Sequence, residues 1–170
     1  DDIPLAFLQA NLLRDEGKST SAEYVFKDFL ALKPNDPVRH LAMARWLILN
    51  SEPEKALRTL EGVRRLSDLT KRMKNTLNLL TVQAHFYLRQ IDEAAAGAEE
   101  LISDSQTKAV GCLMKSLIIA ESGDLDTAEE WLAEAKLQNA HQVGPNRVWV
   151  SAQTHDGKQV GVGVINAYYW

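Results

Sequence analysis

Thr20-Ser21-Ala22-Glu23-Tyr24-Val25-Phe26, Pro53-Glu54-Lys55-Ala56-Leu57-Arg58-Thr59-Leu60, Asp92-Glu93-Ala94-Ala95-Ala96-Gly97-Ala98 and Asp126-Thr127-Ala128-Glu129-Glu130-Trp131-Leu132 are four versions of one phrase. Their alanines at 22, 56, 94 and 128 are spaced by 34, 38 and 34 residues, a recurring unit with a small insertion in the third copy. Such self-similarity outranks local propensity as evidence, because each unit of a repeat protein buries its apolar face against its neighbours. Each alanine opens a stretch whose apolar residues follow helical spacing: 22, 25, 26, 29 and 30; 56, 57, 60 and 63; 94, 98, 101 and 102; 128, 131, 132 and 135. A small side chain at the head of each helix lets a second helix approach closely.

Outward from each phrase lies a second helical stretch, separated from it by Glu16-Gly17-Lys18, Asn50-Ser51-Glu52-Pro53, Gln90-Ile91-Asp92 or Ser122-Gly123-Asp124. These breaks make helical hairpins. Between hairpins, Lys33-Pro34-Asn35-Asp36-Pro37 and Ser103-Asp104-Ser105 stop one helix and supply caps for the next. The pattern predicts helices over 4–16, 19–32, 37–49, 53–66, 70–89, 92–103, 106–121 and 125–138. The stretch 40–49, His-Leu-Ala-Met-Ala-Arg-Trp-Leu-Ile-Leu, is apolar nearly all round, as a helix with neighbours on several sides must be.

The 34-residue period, the turns at Gly17 and Gly123, the alanines, the large residues Phe26, Leu60 and Leu132 four places later, and Leu32-Lys33-Pro34-Asn35 with Pro37 together resemble the tetratricopeptide repeat family over about residues 3–138. Two departures stand out: Ala98 takes the place of the large residue in the third unit, and no tryptophan stands early in any first helix. The resemblance implies an all-α, right-handed α-α superhelix of about four hairpins over residues 1–140. It also implies a concave wall built by the first helix of each hairpin. Carried over residue by residue, that wall holds Phe7, Asn11 and Arg14, then Leu41 and Arg45, then Gln83, and then Leu113 and Leu117. An amide can grip a peptide backbone and a guanidinium can fork onto a carboxylate, which singles out Asn11, Arg14 and Arg45. Some members of the family hold acidic C-terminal tails through a lysine, asparagine and arginine clamp. Here Phe7 stands in place of the first clamp lysine and Leu41 and Ala42 fill the matching places of the second unit, so a mixed or apolar peptide, or a partner's helix, suits this wall better.

After Gln142-Val143-Gly144-Pro145-Asn146 the period changes from helical to alternating, with Val148-Trp149-Val150-Ser151-Ala152 and Val160-Gly161-Val162-Gly163-Val164 flanking Asp156-Gly157. This predicts a C-terminal β-hairpin over about 147–154 and 158–169 within a tail spanning 141–170. Three roles fit it: a cap on the last helices, an edge for self-association or sheet augmentation, and the start of an outer-membrane barrel that continues past Trp170, as in helical-repeat domains of bacterial polysaccharide and surface-lipoprotein exporters.

Composition bounds the rest. The 170 residues are 45% hydrophobic and 25% charged, with a net charge of −4, which offers nucleic acid no overall attraction. Charge is uneven: residues 39–74 hold nine Lys and Arg against four acids, and 92–134 hold eleven acids against Lys108 and Lys115. Solvated helix faces account for this, with partner steering the alternative. The single Cys112 reads as a packing residue, and four scattered histidines match no zinc pattern. His155-Asp156 lacks a nucleophile, and Val160–Val164 lacks the third glycine and following helix of a dinucleotide loop. The expectation is a non-enzyme with no cofactor, no metal and no membrane insertion by its helical part. Asp1-Asp2-Ile3-Pro4 lacks the basic and apolar regions of a signal peptide, as a trimmed or processed fragment would, and nothing in the sequence chooses between cytoplasm and bacterial periplasm.

Overall fold

The computed structural model describes residues 3–141, 147–153 and 159–166. Eight helices lie among them: α1 (Ile3–Asp15), α2 (Ser19–Ala31), α3 (Pro37–Leu49), α4 (Pro53–Arg64), α5 (Lys71–Tyr87), α6 (Ile91–Ser103), α7 (Lys108–Glu121) and α8 (Leu125–His141). Strands β1 (Arg147–Gln153) and β2 (Gln159–Asn166) follow.

The repeat read from the sequence has a backbone signature. The amides of Ala22, Ala56, Ala94 and Ala128 donate to the carbonyls of Lys18, Glu52, Gln90 and Asp124 at 3.0–3.1 Å, and all four alanines are fully buried. Gly17, Ser51, Arg89 and Gly123 share positive φ angles of 76°, 60°, 62° and 89° and recur at the same 34, 38 and 34 spacing. Each ends its helix in the left-handed conformation, and in three of the turns the next amide reaches back five residues: Lys18 to Leu13, Glu52 to Leu47 and Gln90 to His85, at 2.8–3.0 Å. The four extra residues of the third copy lengthen its first helix, α5, to 17 residues against 13 or 14 in α1, α3 and α7.

By its packing the chain divides into two compact units, Asp1–Met73 and Lys74–Trp170. In the first, α1 and α2 form one hairpin and α3 and α4 the next. An aromatic line of Phe7, Phe26 and Trp46 crosses it, with centroids 5.4 and 5.2 Å apart. Arg39 is buried because its guanidinium lies 4.2 Å over the Phe29 ring, donates to the Phe29 carbonyl and pairs with Asp36 at 3.5 Å. Asp36 also caps α3, accepting from the Val38 amide at 3.0 Å, with Pro37 fitting the first turn.

In the second unit, Leu79 and Val82 of α5, Ala94, Ala98 and Leu101 of α6, and Val110, Met114 and Ile118 of α7 form one apolar cluster. Gly111 lets the α6 backbone come close to α7, since a β-carbon there would sit 2.7 Å from the Ile102 amide nitrogen. Two buried hydroxyls tie elements together: Thr107 donates to Leu101 O and Ser116 to Ala128 O, both at 2.6 Å. α8 ends at His141. Beyond it β1 and β2 pair antiparallel from Arg147↔Asn166 to Ala152↔Gly161, with an irregularity before Gln153. β2 runs beside α8 and touches α7.

Candidate partner-binding surface

The first helices α1, α3, α5 and α7 carry every residue that the sequence places on the wall, and burial sorts these residues into rows. Ala10, Ala44, Val82 and Ser116 share one register and are at most 2% exposed. One residue further on, Asn11, Arg45, Gln83 and Leu117 share the next register, and all four are half-buried, reachable from solvent yet held by their helices. The row three residues beyond that is mixed: Arg14 is exposed, Phe86 half-buried, and Ile48 and Ala120 buried.

In the first unit, Phe7 is half-buried edge-on to Phe26. Asn11 accepts from the Trp46 indole through its carbonyl oxygen at 3.1 Å, which leaves its NH2 as the group it can offer a ligand. Arg14 is exposed and donates to the Asn50 side-chain oxygen and, at 3.2 Å, to Asp15. The Asn50 NH2 in turn donates to the Trp46 carbonyl at 2.6 Å. This chain from Arg14 through Asn50 and Trp46 to Asn11 locks α1 to α3. Sequence reasoning missed Asn50, because an asparagine before Ser51-Glu52-Pro53 reads as a turn residue and its reach to another helix has no local signal. Arg45 is partly buried, and that desolvation lowers its pKa from the ordinary arginine value to about 10. It remains charged at neutral pH but holds that charge at a cost.

Leu41 and Leu113 differ from the wall assignment. They are 6% and 5% exposed, and Leu113 packs with Cys112, Leu132 and Ala135 inside the second unit. Side chains so enclosed give a ligand little to touch, so of the residues assigned from the sequence the accessible ones are Phe7, Asn11, Arg14 and Arg45 in the first unit and, taken separately, Gln83 and Leu117 in the second.

Many of the charged side chains are paired on the surface. Lys115 meets Glu99 at 2.5 Å and lies 3.9 Å over the Trp131 ring, Lys108 meets Glu134 at 3.4 Å, and Arg89 meets Glu121. Lys55 bridges Glu23 and Glu52, which raises its pKa through the hydrogen bond to Glu23 first and to Glu52 second. Burial pushes the Cys112 thiol up, so it stays protonated and weakly nucleophilic. Among the described residues no cluster of three His, Cys, Asp or Glu side chains could hold a metal ion, and no helix is long and apolar enough to cross a membrane. His155-Asp156 lies outside the described residues.

No family model, curated protein or solved structure matches this chain.

Proposed function

We propose that this chain is a non-catalytic protein-interaction scaffold of the tetratricopeptide type, whose first helices hold a peptide or helix of a partner protein. The observation that carries the reading is the row Asn11, Arg45, Gln83 and Leu117: one register position in all four hairpins, half-exposed each time, directly beside a row that is buried each time. A repeat protein presents successive equivalent positions to a ligand, so within each unit the half-exposed pair, Asn11 with Arg45 and Gln83 with Leu117, offers a reading surface. The right-handed superhelix belongs to this proposal and rests on the resemblance to the tetratricopeptide family, with packed adjacent hairpins in each unit beside it. No reaction is assigned to the chain, and its partners are proteins rather than nucleic acid.

Site-specific photo-crosslinking tests the reading. A benzoylphenylalanine at position 45 or 83 is expected to capture a defined protein in cell extract, and the same group at Arg58, exposed on α4, is not. Capture of identical proteins from all three positions, or none from 45 and 83, would sink it.

For the tail we propose a cap, because β2 runs beside α8 and α7 and solenoid ends need covering. The second reading makes this chain the repeat domain of a bacterial envelope export machine, with the tail leading into an outer-membrane barrel; the alternation of valine and glycine along β2 favours it. Truncation after His141 separates the two: a cap leaves with a measurable loss of thermal stability, whereas the edge of another domain leaves the helices unchanged.

A further inference from the structure

Of the nine Lys and Arg in the basic stretch 39–74, the fold itself employs some: Arg39 is buried against Phe29 and Asp36, and Lys55 bridges Glu23 and Glu52. Five others crowd into eleven residues, Arg64-Arg65-Leu66-Ser67-Asp68-Leu69-Thr70-Lys71-Arg72-Met73-Lys74, where Asp68 is the one acid of the sequence. All five are exposed. Arg64 and Arg65 close α4, where cations suit the negative end of the helix dipole. Lys71, Arg72 and Lys74 open α5, where they oppose the positive end, and the first turn of that helix holds no acid. The first turns of α4, α6 and α8 make the opposite choice, with Glu54, with Asp92 and Glu93, and with Asp126. Helix formation therefore does not explain three cations at the start of α5. Leu66 and Leu69 lie between the two basic groups and Met73 among the second, and all three are half-buried, with apolar surface still reachable.

We infer that the segment 64–74 is a docking surface for an anionic lipid bilayer, whose headgroups meet the five cations while Leu66, Leu69 and Met73 reach the apolar boundary beneath. Charge complementarity selects this occupant. A bilayer asks for cations and some apolar surface and imposes no fixed spacing on them, which suits charges strung over the end of one helix, a linker and the start of the next. Each Lys or Arg near an anionic membrane strengthens binding about fivefold, so five of them compound to roughly a thousandfold preference over a neutral bilayer. The chain's net charge of −4 does not cancel this, because charges farther from the surface than about 8–10 Å are screened at physiological salt. Single-stranded nucleic acid fits less well, since the segment has no Phe, Tyr, Trp or His on which a base could stack. The contact shares no residue with the Asn11-Arg45 row and stands or falls independently of it.

The full chain is tested by sedimentation with vesicles of phosphatidylcholine alone or with about one-third phosphatidylglycerol, at physiological ionic strength. It should pellet with the mixed vesicles, stay in solution with the neutral ones, and be released as salt is raised. Arg64→Gln, Arg65→Gln, Lys71→Gln and Arg72→Gln together should weaken binding at least tenfold, with helical circular dichroism matching the parent. Should that fourfold variant misfold, Arg64→Gln with Arg65→Gln carries the test, with a loss of at least fivefold. Arg64→Lys with Arg65→Lys should bind as the parent does, because the field of the charges is what the bilayer meets. Lys18→Gln with Lys136→Gln, two exposed lysines elsewhere, should change nothing. Equal binding to both kinds of vesicle, binding to neither, or undiminished binding by the uncharged variants overturns the proposal. Tighter binding to a DNA duplex or to polyglutamate at the same salt also overturns it, by giving the segment to nucleic acid or to an acidic protein.

Discussion

Ser51 and Arg89 occupy the left-handed turn position that Gly17 and Gly123 occupy in the first and fourth hairpins. A side chain in that conformation crowds its own carbonyl by roughly 1–2 kcal/mol, part of which is recovered in the unfolded chain because glycine is freer there. Ser51→Gly should therefore raise the unfolding free energy by about 0.5–1 kcal/mol, read from the midpoint of urea denaturation. Arg89→Gly should bring no such gain, because it also removes one partner of Glu121, whose side chain is only 9% exposed. Equal stabilisation by both would mean that the ion pair contributes nothing. The two glycine turns were legible in the sequence. The serine and arginine turns were not, since neither residue type prefers positive φ and only the repeat spacing places them there.

Helix by helix, the sequence was most informative where four copies agreed and least where the third departed from them. Ala98 reads as a defect of the pattern, standing where Phe26, Leu60 and Leu132 supply bulk. The third copy suggests the reason: the register that holds Ala10, Ala44 and Ser116 elsewhere holds the larger Val82 here, and Val82 shares a cluster with Ala98, so bulk moves from α6 to α5. Val82 and Ala98 are 2% and 0% exposed in one cluster, and a β-carbon on the neighbouring Gly97 would meet a Val82 methyl at 2.4 Å. Such compensation is invisible to a reading that scores positions one at a time. Val82→Ala alone should cost about 2 kcal/mol through the void it leaves. Ala98→Leu alone should cost about 1–3 kcal/mol by overpacking. The double variant should be at least 1 kcal/mol more stable than the sum of the two predicts, a coupling typical of residues in contact. Strict additivity in thermal or chemical unfolding would show that the two positions do not share a volume.

For the molecule as a whole, the sequence predicted the hairpins well because burial dictates their pattern, but it sorted the wall less well. Register alone cannot tell Leu41, enclosed, from Phe7, half-open, and it gave no sign that Asn11 and Arg14 spend part of their hydrogen bonding on Trp46 and Asn50. Arg45 is the wall residue whose environment most favours a role outside folding. Burial has lowered its pKa to about 10, so at neutral pH the folded chain carries a partly desolvated charge, and the contribution of this group to stability rises only as the pH climbs through that value. A methionine of similar length fills the same space without that charge, and exchanging a desolvated ionic group for an apolar one is often neutral or stabilising. Arg45→Met should leave the melting temperature unchanged or a few degrees higher while weakening, at least tenfold, the binding of a partner captured from position 11 of the same unit, a separation of stability from binding expected of functional residues. A fall in stability of more than about 2 kcal/mol with binding intact would make Arg45 a structural residue and remove it from the half-exposed row's proposed role.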